Sequence, residues 1–253
     1  MKPTATVPTE ELNVEPYISV VCYPRGSLTE IEKRILQLKS LRVEALDFCG
    51  KASAFEVPVL GKGYVGIVVV AHVGGERFAL KMRRIDADRT GLEHEADMLK
   101  KANLADVGPR FVGVSKDFLL SQLIDGDLLY QWLQMHRDRV TMRTVLTDVL
   151  EQCWRLDEVG LDHGELSKAP KHLLVDKAGK PYIVDFETSS IERKVANVTA
   201  VSQFLFQGQS DVARVFTETY GERDRLRLIE ALRKYKKDRN RLYFEAILSV
   251  AFG

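Results

Sequence analysis

The chain has 253 residues, 45% of them hydrophobic and 29% charged, enough for one large domain or two small lobes with a real core. The net charge of +1 excludes a global pull toward nucleic acid or membrane and leaves any electrostatic preference to local patches. Cys22, Cys49 and Cys153 are far apart and form no C-x-x-C pair, which argues against a disulfide framework or zinc site and for a reducing, cytoplasmic compartment.

Residues 1–15 are polar and punctuated by proline, and they read as a flexible leader without the pattern of a signal peptide. Tyr17–Tyr23 reads as a strand stopped by Pro24 and Gly26. Ser27-Leu28-Thr29-Glu30 is a capping box, and Leu28, Ile31, Ile35 and Leu38 recur behind it at helical spacing. Val43–Phe48 reads as another strand, so residues 1–50 predict a leader and a small β-α-β extension. From Val57 a strand leads into a glycine-rich turn, then a hairpin turning at Gly74-Gly75 and ending in Phe78-Ala79-Leu80-Lys81. The valine-rich stretch Tyr64–Val73 is too short to span a bilayer, and no membrane partner is expected. A helix over Arg89–Ala102 and strands at Phe111–Val114 and Phe118–Leu123 complete a β-rich lobe over residues 51–123.

Residues 124–253 read as mostly helical. Helices are expected at Leu128–His136 and Val140–Val159, then a loop, a short hairpin over His172–Val184, and helices near 197–206, 211–220, 223–236 and 239–250. Trp132 and Trp154 are expected in the core.

Gly61-Lys62-Gly63-Tyr64-Val65-Gly66-Ile67-Val68 fits G-x-G-x-x-G-x-V. A dinucleotide fingerprint needs a helix directly after the glycines, whereas Ile67–Ala71 is β-branched and strand-like. The glycines therefore sit between two strands, where they serve either a plain hairpin or the close approach of backbone to phosphates. Lys81, on the returning strand, is in position to meet those phosphates or to be a surface lysine. Glu95 shares the apolar face of the next helix with Leu92 and Leu99, and a carboxylate there needs a cation, for which Lys81 is the candidate. Glu93 lies about 200° round the helix from Glu95, off the stripe. Asp185 ends the strand Tyr182-Ile183-Val184, in a D-F-E triplet, where a carboxylate can hold Mg²⁺ against phosphate oxygens.

Taken in order, a glycine-rich loop, an A-x-K strand, a helix glutamate, His163-Gly164-Glu165-Leu166 and Asp185-Phe186-Glu187 resemble a protein kinase. With Tyr23-Pro24, Val59–Gly63, Ser167…His172 and Asn197-Val198-Thr199, the chain after residue 15 is similar to small archaeal atypical serine/threonine kinases related to the RIO and KEOPS-complex kinases. The resemblance implies an α+β, bilobal protein-kinase-like fold with a β-rich N-lobe and a short helical C-lobe. It implies ATP with Mg²⁺ or Mn²⁺, and transfer to a serine or threonine hydroxyl of a protein whose identity it does not supply. Gly61, Lys62, Gly63, Tyr64, Gly66, Val68, Ala79, Lys81 and Glu95 then bind nucleotide, with the backbone of Gln122 and Ile124 at the adenine edge. Glu165 stands at the catalytic base and Asp185 at the metal. Where the family has a second metal-binding asparagine this chain has Pro170, or His172 if the loop is two residues longer. Glu187 adds a further carboxylate.

No A-P-E motif follows Asp185. The departures keep open a nucleotide-binding regulator or ATPase, and a small-molecule kinase. Gly221–Arg241 carries nine Lys/Arg against four Asp/Glu, with Leu226, Ile229 and Leu232 on its core face. This segment is either a solvated helix face or a surface for RNA or a protein partner. Arg193 and Lys194 are candidates to hold a phosphate, and Lys168 and Lys171 to neutralise transferred charge.

Overall fold

The computed structural model describes residues 5–207 and 209–253. The fold is α+β, with antiparallel sheets and helices. The chain divides into two compact units. The first holds residues 1–100 and 109–123, the second 101–108 and 124–253.

The first unit opens with β1 (Ala5–Pro8), followed by α1 (Tyr17–Val21), α2 (Leu28–Ser40) and β2 (Ala45–Phe48). Next come β3 (Ala52–Ala54), β4 (Val57–Val59), β5 (Gly61–Lys62), β6 (Gly66–Val73) and β7 (Glu76–Arg83). Helix α3 (Glu93–Leu104), β8 (Phe111–Val114) and β9 (Phe118–Gln122) follow, the last turn of α3 being grouped with the second unit. Strands β1-β2-β6-β7-β9-β8 lie in that order in one sheet, β5 pairs with β6, and β3 pairs with β4. The β6–β7 hairpin turns at Gly74 and Gly75, with φ of 57° and 80°, the left-handed values that a two-residue turn matched to strand twist requires. Alternation sets the two faces of the sheet. Ile67, Val69, Phe78, Leu80 and Met82 pack with Ile18, Ile31 and Leu38 of the first two helices. Leu119 faces the other way, toward Leu92 and Ala96.

Three expectations for residues 1–50 are corrected. Within the described part of the leader, β1 pairs with β2 and Leu12 is fully buried, so this segment is an edge strand of the sheet; polar residues on its open side masked it. Tyr17–Val21 is a helix, because one turn buries Ile18, Val20 and Val21 in the core. Burying such side chains yields about 1.5–3 kcal/mol each, more than the β preference of a valine-rich run, which spans only about 1 kcal/mol. The segment is thus helix-helix-strand rather than β-α-β, and it belongs to the same unit as residues 51–100. Helix α3 also begins four residues later than expected.

The second unit contains β10 (Gly126–Leu128), α4 (Leu129–Met135), α5 (Arg139–Glu158), β11 (Leu173–Asp176) and β12 (Pro181–Ile183). Then come α6 (Asn197–Ser202), running on as a π-helical stretch over Gln203–Gln207, and α7 (Asp211–Tyr220), α8 (Arg225–Lys237) and α9 (Arg241–Phe252). Strands β10-β11-β12 form a small antiparallel sheet. Asp138, Ser210, Asp224 and Asn240 cap α5, α7, α8 and α9 by accepting from the third residue on, each worth about 1 kcal/mol. The buried stripe of α8 is Leu228, Ala231 and Tyr235. Leu226 is 79% exposed, contrary to expectation, since the anchor of the stripe is the Tyr235 hydroxyl, which donates to Asp157 at 2.9 Å. Among the described residues no helix is long and apolar enough to cross a membrane.

Candidate functional site

The candidate residues of the first unit gather on the glycine-rich hairpin and the face of the sheet beside α3. Gly63 N–H donates to Gly66 carbonyl at 2.8 Å, closing the tip. Register pairs Val68 with Lys81 and Val70 with Ala79, so Val68, Ala79 and Lys81 share one face. Lys81 Nζ lies 2.8 Å from Glu95 Oε2 and 3.0 Å from Oε1. Both side chains are largely buried, so the lysine head is fixed rather than free to swing. A Cβ at Gly66 would lie 2.9 Å from Met82 carbonyl, so packing against β7 demands glycine there. Gly61 and Gly63 have no such reason. Their φ is not left-handed, and an added Cβ would meet nothing closer than 3.9 Å and 3.7 Å respectively.

Sequence reasoning missed what holds this tip. Arg84 N–H donates to Val65 carbonyl at 2.8 Å, and Arg84 Nη1 to Gly63 carbonyl at 3.0 Å. Two cations lie over the Tyr23 ring, Lys62 at 4.6 Å and Arg84 at 4.8 Å from its centroid, and the Tyr23 carbonyl accepts from Ile85 N–H. Tyr64 is 94% exposed. Gln122 N–H is already given to Arg110 carbonyl at 2.8 Å.

In the second unit the loop before β11 and the residues after β12 bring Glu165, His172, Asp185 and Glu187 together. His172 Nε2 is 3.2 Å from Glu165 Oε2, and its Nδ1 is 3.7 Å from Asp185 Oδ2. Carboxylate oxygens of Asp185 and Glu187 come within 4.8 Å of each other. Two carboxylates at that spacing suit a hard cation such as Mg²⁺ or Mn²⁺, which prefers oxygen. The imidazole of His172 is the weaker donor for Mg²⁺, and its contact with Glu165 makes it first a partner of that carboxylate.

A buried network holds this loop. His163 is fully buried, and its Nε2 lies 3.1 Å from Val184 carbonyl; a carbonyl only accepts, so Nε2 carries the proton. Burial lowers the His163 pKa to about 4, the Val184 bond opposing, so the ring is neutral at pH 7. His163 N–H donates to Asn197 Oδ1 at 2.9 Å, and Asn197 Nδ2 donates to Asp157 at 2.8 Å. Burial raises the pKa of Asp157, against the bonds it accepts from Tyr235, Asn197 and Val198. Phe186 packs edge-on to His163. Gly164 has φ of 90°, and a Cβ there would lie 2.5 Å from Arg193 Nη2. Arg193, a candidate to hold a phosphate, is engaged internally: it bonds Asp162 at 2.9 Å and Thr188 carbonyl at 2.7 Å. Lys168, Lys171 and Lys194 are exposed.

Among known proteins, no family model matches the chain. It is similar to an uncharacterized protein of Methanocaldococcus jannaschii, 29% identical over 119 residues that make up 46% of this chain and 98% of that protein.

Proposed function

We propose that the chain is an atypical serine/threonine protein kinase, its two units serving as the N-lobe and C-lobe of a kinase-like fold. The observation that carries this reading is the glycine-rich tip. Neither φ nor packing asks for glycine at 61 or 63, while the neighbouring Lys81 is held by a buried glutamate. Bare backbone beside a fixed cation is what binding a polyphosphate requires.

In this reading Lys81 takes the α- and β-phosphates of ATP, and Asp185 with Glu187 holds Mg²⁺ or Mn²⁺. The metal, when bound, neutralises charge on the phosphates. Glu165 accepts the proton of the substrate hydroxyl, with His172 orienting its carboxylate. Catalysis is positioning plus charge neutralisation. The three cysteines are free and buried, and burial pushes the Cys153 thiol well above its ordinary range. This fits a reducing compartment, and we assign the protein to the cytoplasm. A second reading, a nucleotide-binding regulator, is favoured by the Glu165–His172 contact, which occupies the proposed base.

The test is incubation with γ-labelled ATP and Mg²⁺ or Mn²⁺ for wild type, Lys81→Ala, Asp185→Ala and Glu165→Gln. Label on the protein or on an added acceptor, lost in all three variants, is expected. Wild-type turnover in Lys81→Ala refutes the kinase reading. ATP binding without label or phosphate release favours the regulator.

A further inference from the structure

A second concavity lies wholly within the helical unit, apart from the residues assigned above. Arg139, Val140 and Arg143 of α5, Tyr220 at the end of α7, Arg223 and Phe252 border a space of about 270 Å³. Gly253 borders it too. Like charges brought together repel, and a folded chain normally pairs them. It does so nearby: Arg137 with Glu218 at 2.9 Å, Arg214 with Asp211 at 2.7 Å, Arg227 with Asp224 at 3.3 Å and Arg241 with Glu151 at 2.7 Å. Among the described residues Arg139, Arg143 and Arg223 form no ion pair. The nearby acid Asp138 is turned to the Thr141 N–H, 2.8 Å away, as the cap of α5.

Each head nonetheless lies over an aromatic ring, although Arg139 and Arg143 are exposed. Arg139 and Arg223 lie over the Tyr220 ring at 5.6 and 5.3 Å, and Arg143 over the Phe252 ring at 5.8 Å. Arg139 Nε donates to Thr219 carbonyl at 3.1 Å, and the Tyr220 hydroxyl donates to Arg139 carbonyl. Arg223 Nε is buried without a hydrogen-bond partner, a donor left unused at a cost. Three guanidiniums without ion pairs, Arg139 and Arg143 exposed and Arg223 half-buried, thus border one concavity, a charge arrangement that favours an anion.

We propose that this concavity binds a phosphate monoester, gripped by Arg139, Arg143 and Arg223, with Tyr220 and Phe252 walling its organic part. Its volume falls just below the roughly 300 Å³ at which ordinary ligand sites begin, so it suits a single phosphorylated group rather than a nucleotide. Such a group comes either on a small molecule or on a phosphorylated serine or threonine side chain, and the chemistry of recognition is the same. The proposal does not depend on the kinase reading.

The test is calorimetric titration of the full chain with inorganic phosphate, O-phosphoserine, a phosphoserine peptide and serine. Wild type is compared with Arg143→Ala and Arg223→Ala, each first checked for an unchanged urea midpoint, and with Lys81→Ala, checked for a retained cooperative unfolding transition because it leaves the buried Glu95 unpaired. O-phosphoserine is expected to bind, to weaken about tenfold or more in each arginine variant, and to be unaffected by Lys81→Ala. Tighter binding of the peptide assigns the ligand to a protein, and equal binding to a small molecule. Serine binding as well as phosphoserine, full retention of binding in both arginine variants, or no heat up to about 1 mM ligand, roughly −4 kcal/mol, overturns the proposal. So does a preference for a mixed-sequence RNA at equal phosphate concentration.

Discussion

Asp185 adopts φ of 70°, a left-handed conformation that costs a non-glycine residue roughly 1–2 kcal/mol. Such strain persists where the surroundings fix it, and here Phe186 is buried on one side and Val184 bonds to His172 and His163 on the other. Nothing in a D-F-E triplet announces this. The fully buried Arg34 lies three residues after Ile31 and four before Leu38, on the apolar face of α2 as Glu95 is on α3, but its partners Val21 and Asp117 meet it only through the fold. Its guanidinium donates to Val21 carbonyl at 2.7 Å, sits 3.2 Å from Glu30 and 3.6 Å from Asp117, and Asp117 also meets Arg83 at 2.6 Å. Arg34→Ala is expected to lower stability by about 3–5 kcal/mol, as breaking a buried ion pair does, and Arg34→Lys by most of that, since the fork is lost. Urea unfolding measures both; a change within about 0.5 kcal/mol contradicts the assignment.

At the scale of elements, the sequence marked the β6–β7 hairpin and the long α5 well, because alternation and glycine placement are local signals. Lys81 and Glu95 were readable as a pair since each stands on a strongly patterned element. The brace under the glycine-rich tip was not, because Tyr23, Lys62 and Arg84 are scattered along the chain and meet only through the fold. Both cations lie over the Tyr23 ring, and cation–π contacts of this kind are worth about 0.5–1 kcal/mol each. Arg84→Ala removes the bond to Gly63 carbonyl and half of that stacking. Under the kinase reading it should raise the KM for ATP roughly fivefold, about 1 kcal/mol, with kcat changed far less. An unchanged KM means the tip needs no brace.

At the scale of the whole molecule, the boundary near residue 123 was legible from the shift between strand and helix patterning. Membership of the first 50 residues was not, since an edge strand and a five-residue helix owe their existence to distant partners. The units also differ in how acid should reach them. In the first, burial raises the pKa of Asp117, but bonds from Gln37, Arg34 and Arg83 outweigh it and hold it below its ordinary value. That stabilisation is present above an unfolded value of about 3.9 and is lost as pH falls through the lower folded value. In the second, His163 titrates near 6.5 when unfolded and about 4 when folded. The unfolded chain therefore binds more protons between those values, and stability falls as pH drops below 6.5, by on the order of 3 kcal/mol at most. Asp157, whose pKa burial raises, opposes this as pH falls through its folded value. Both tryptophans, Trp132 and Trp154, lie in the second unit, buried and half-buried, so their fluorescence reports that unit alone. With moderate urea held constant and pH lowered, the fluorescence transition should come at higher pH than the loss of sheet signal by circular dichroism, and His163→Gln should move it downward. Coincident transitions in the wild type would mean the two units unfold as one, and an unmoved transition in the variant would remove His163 as the cause.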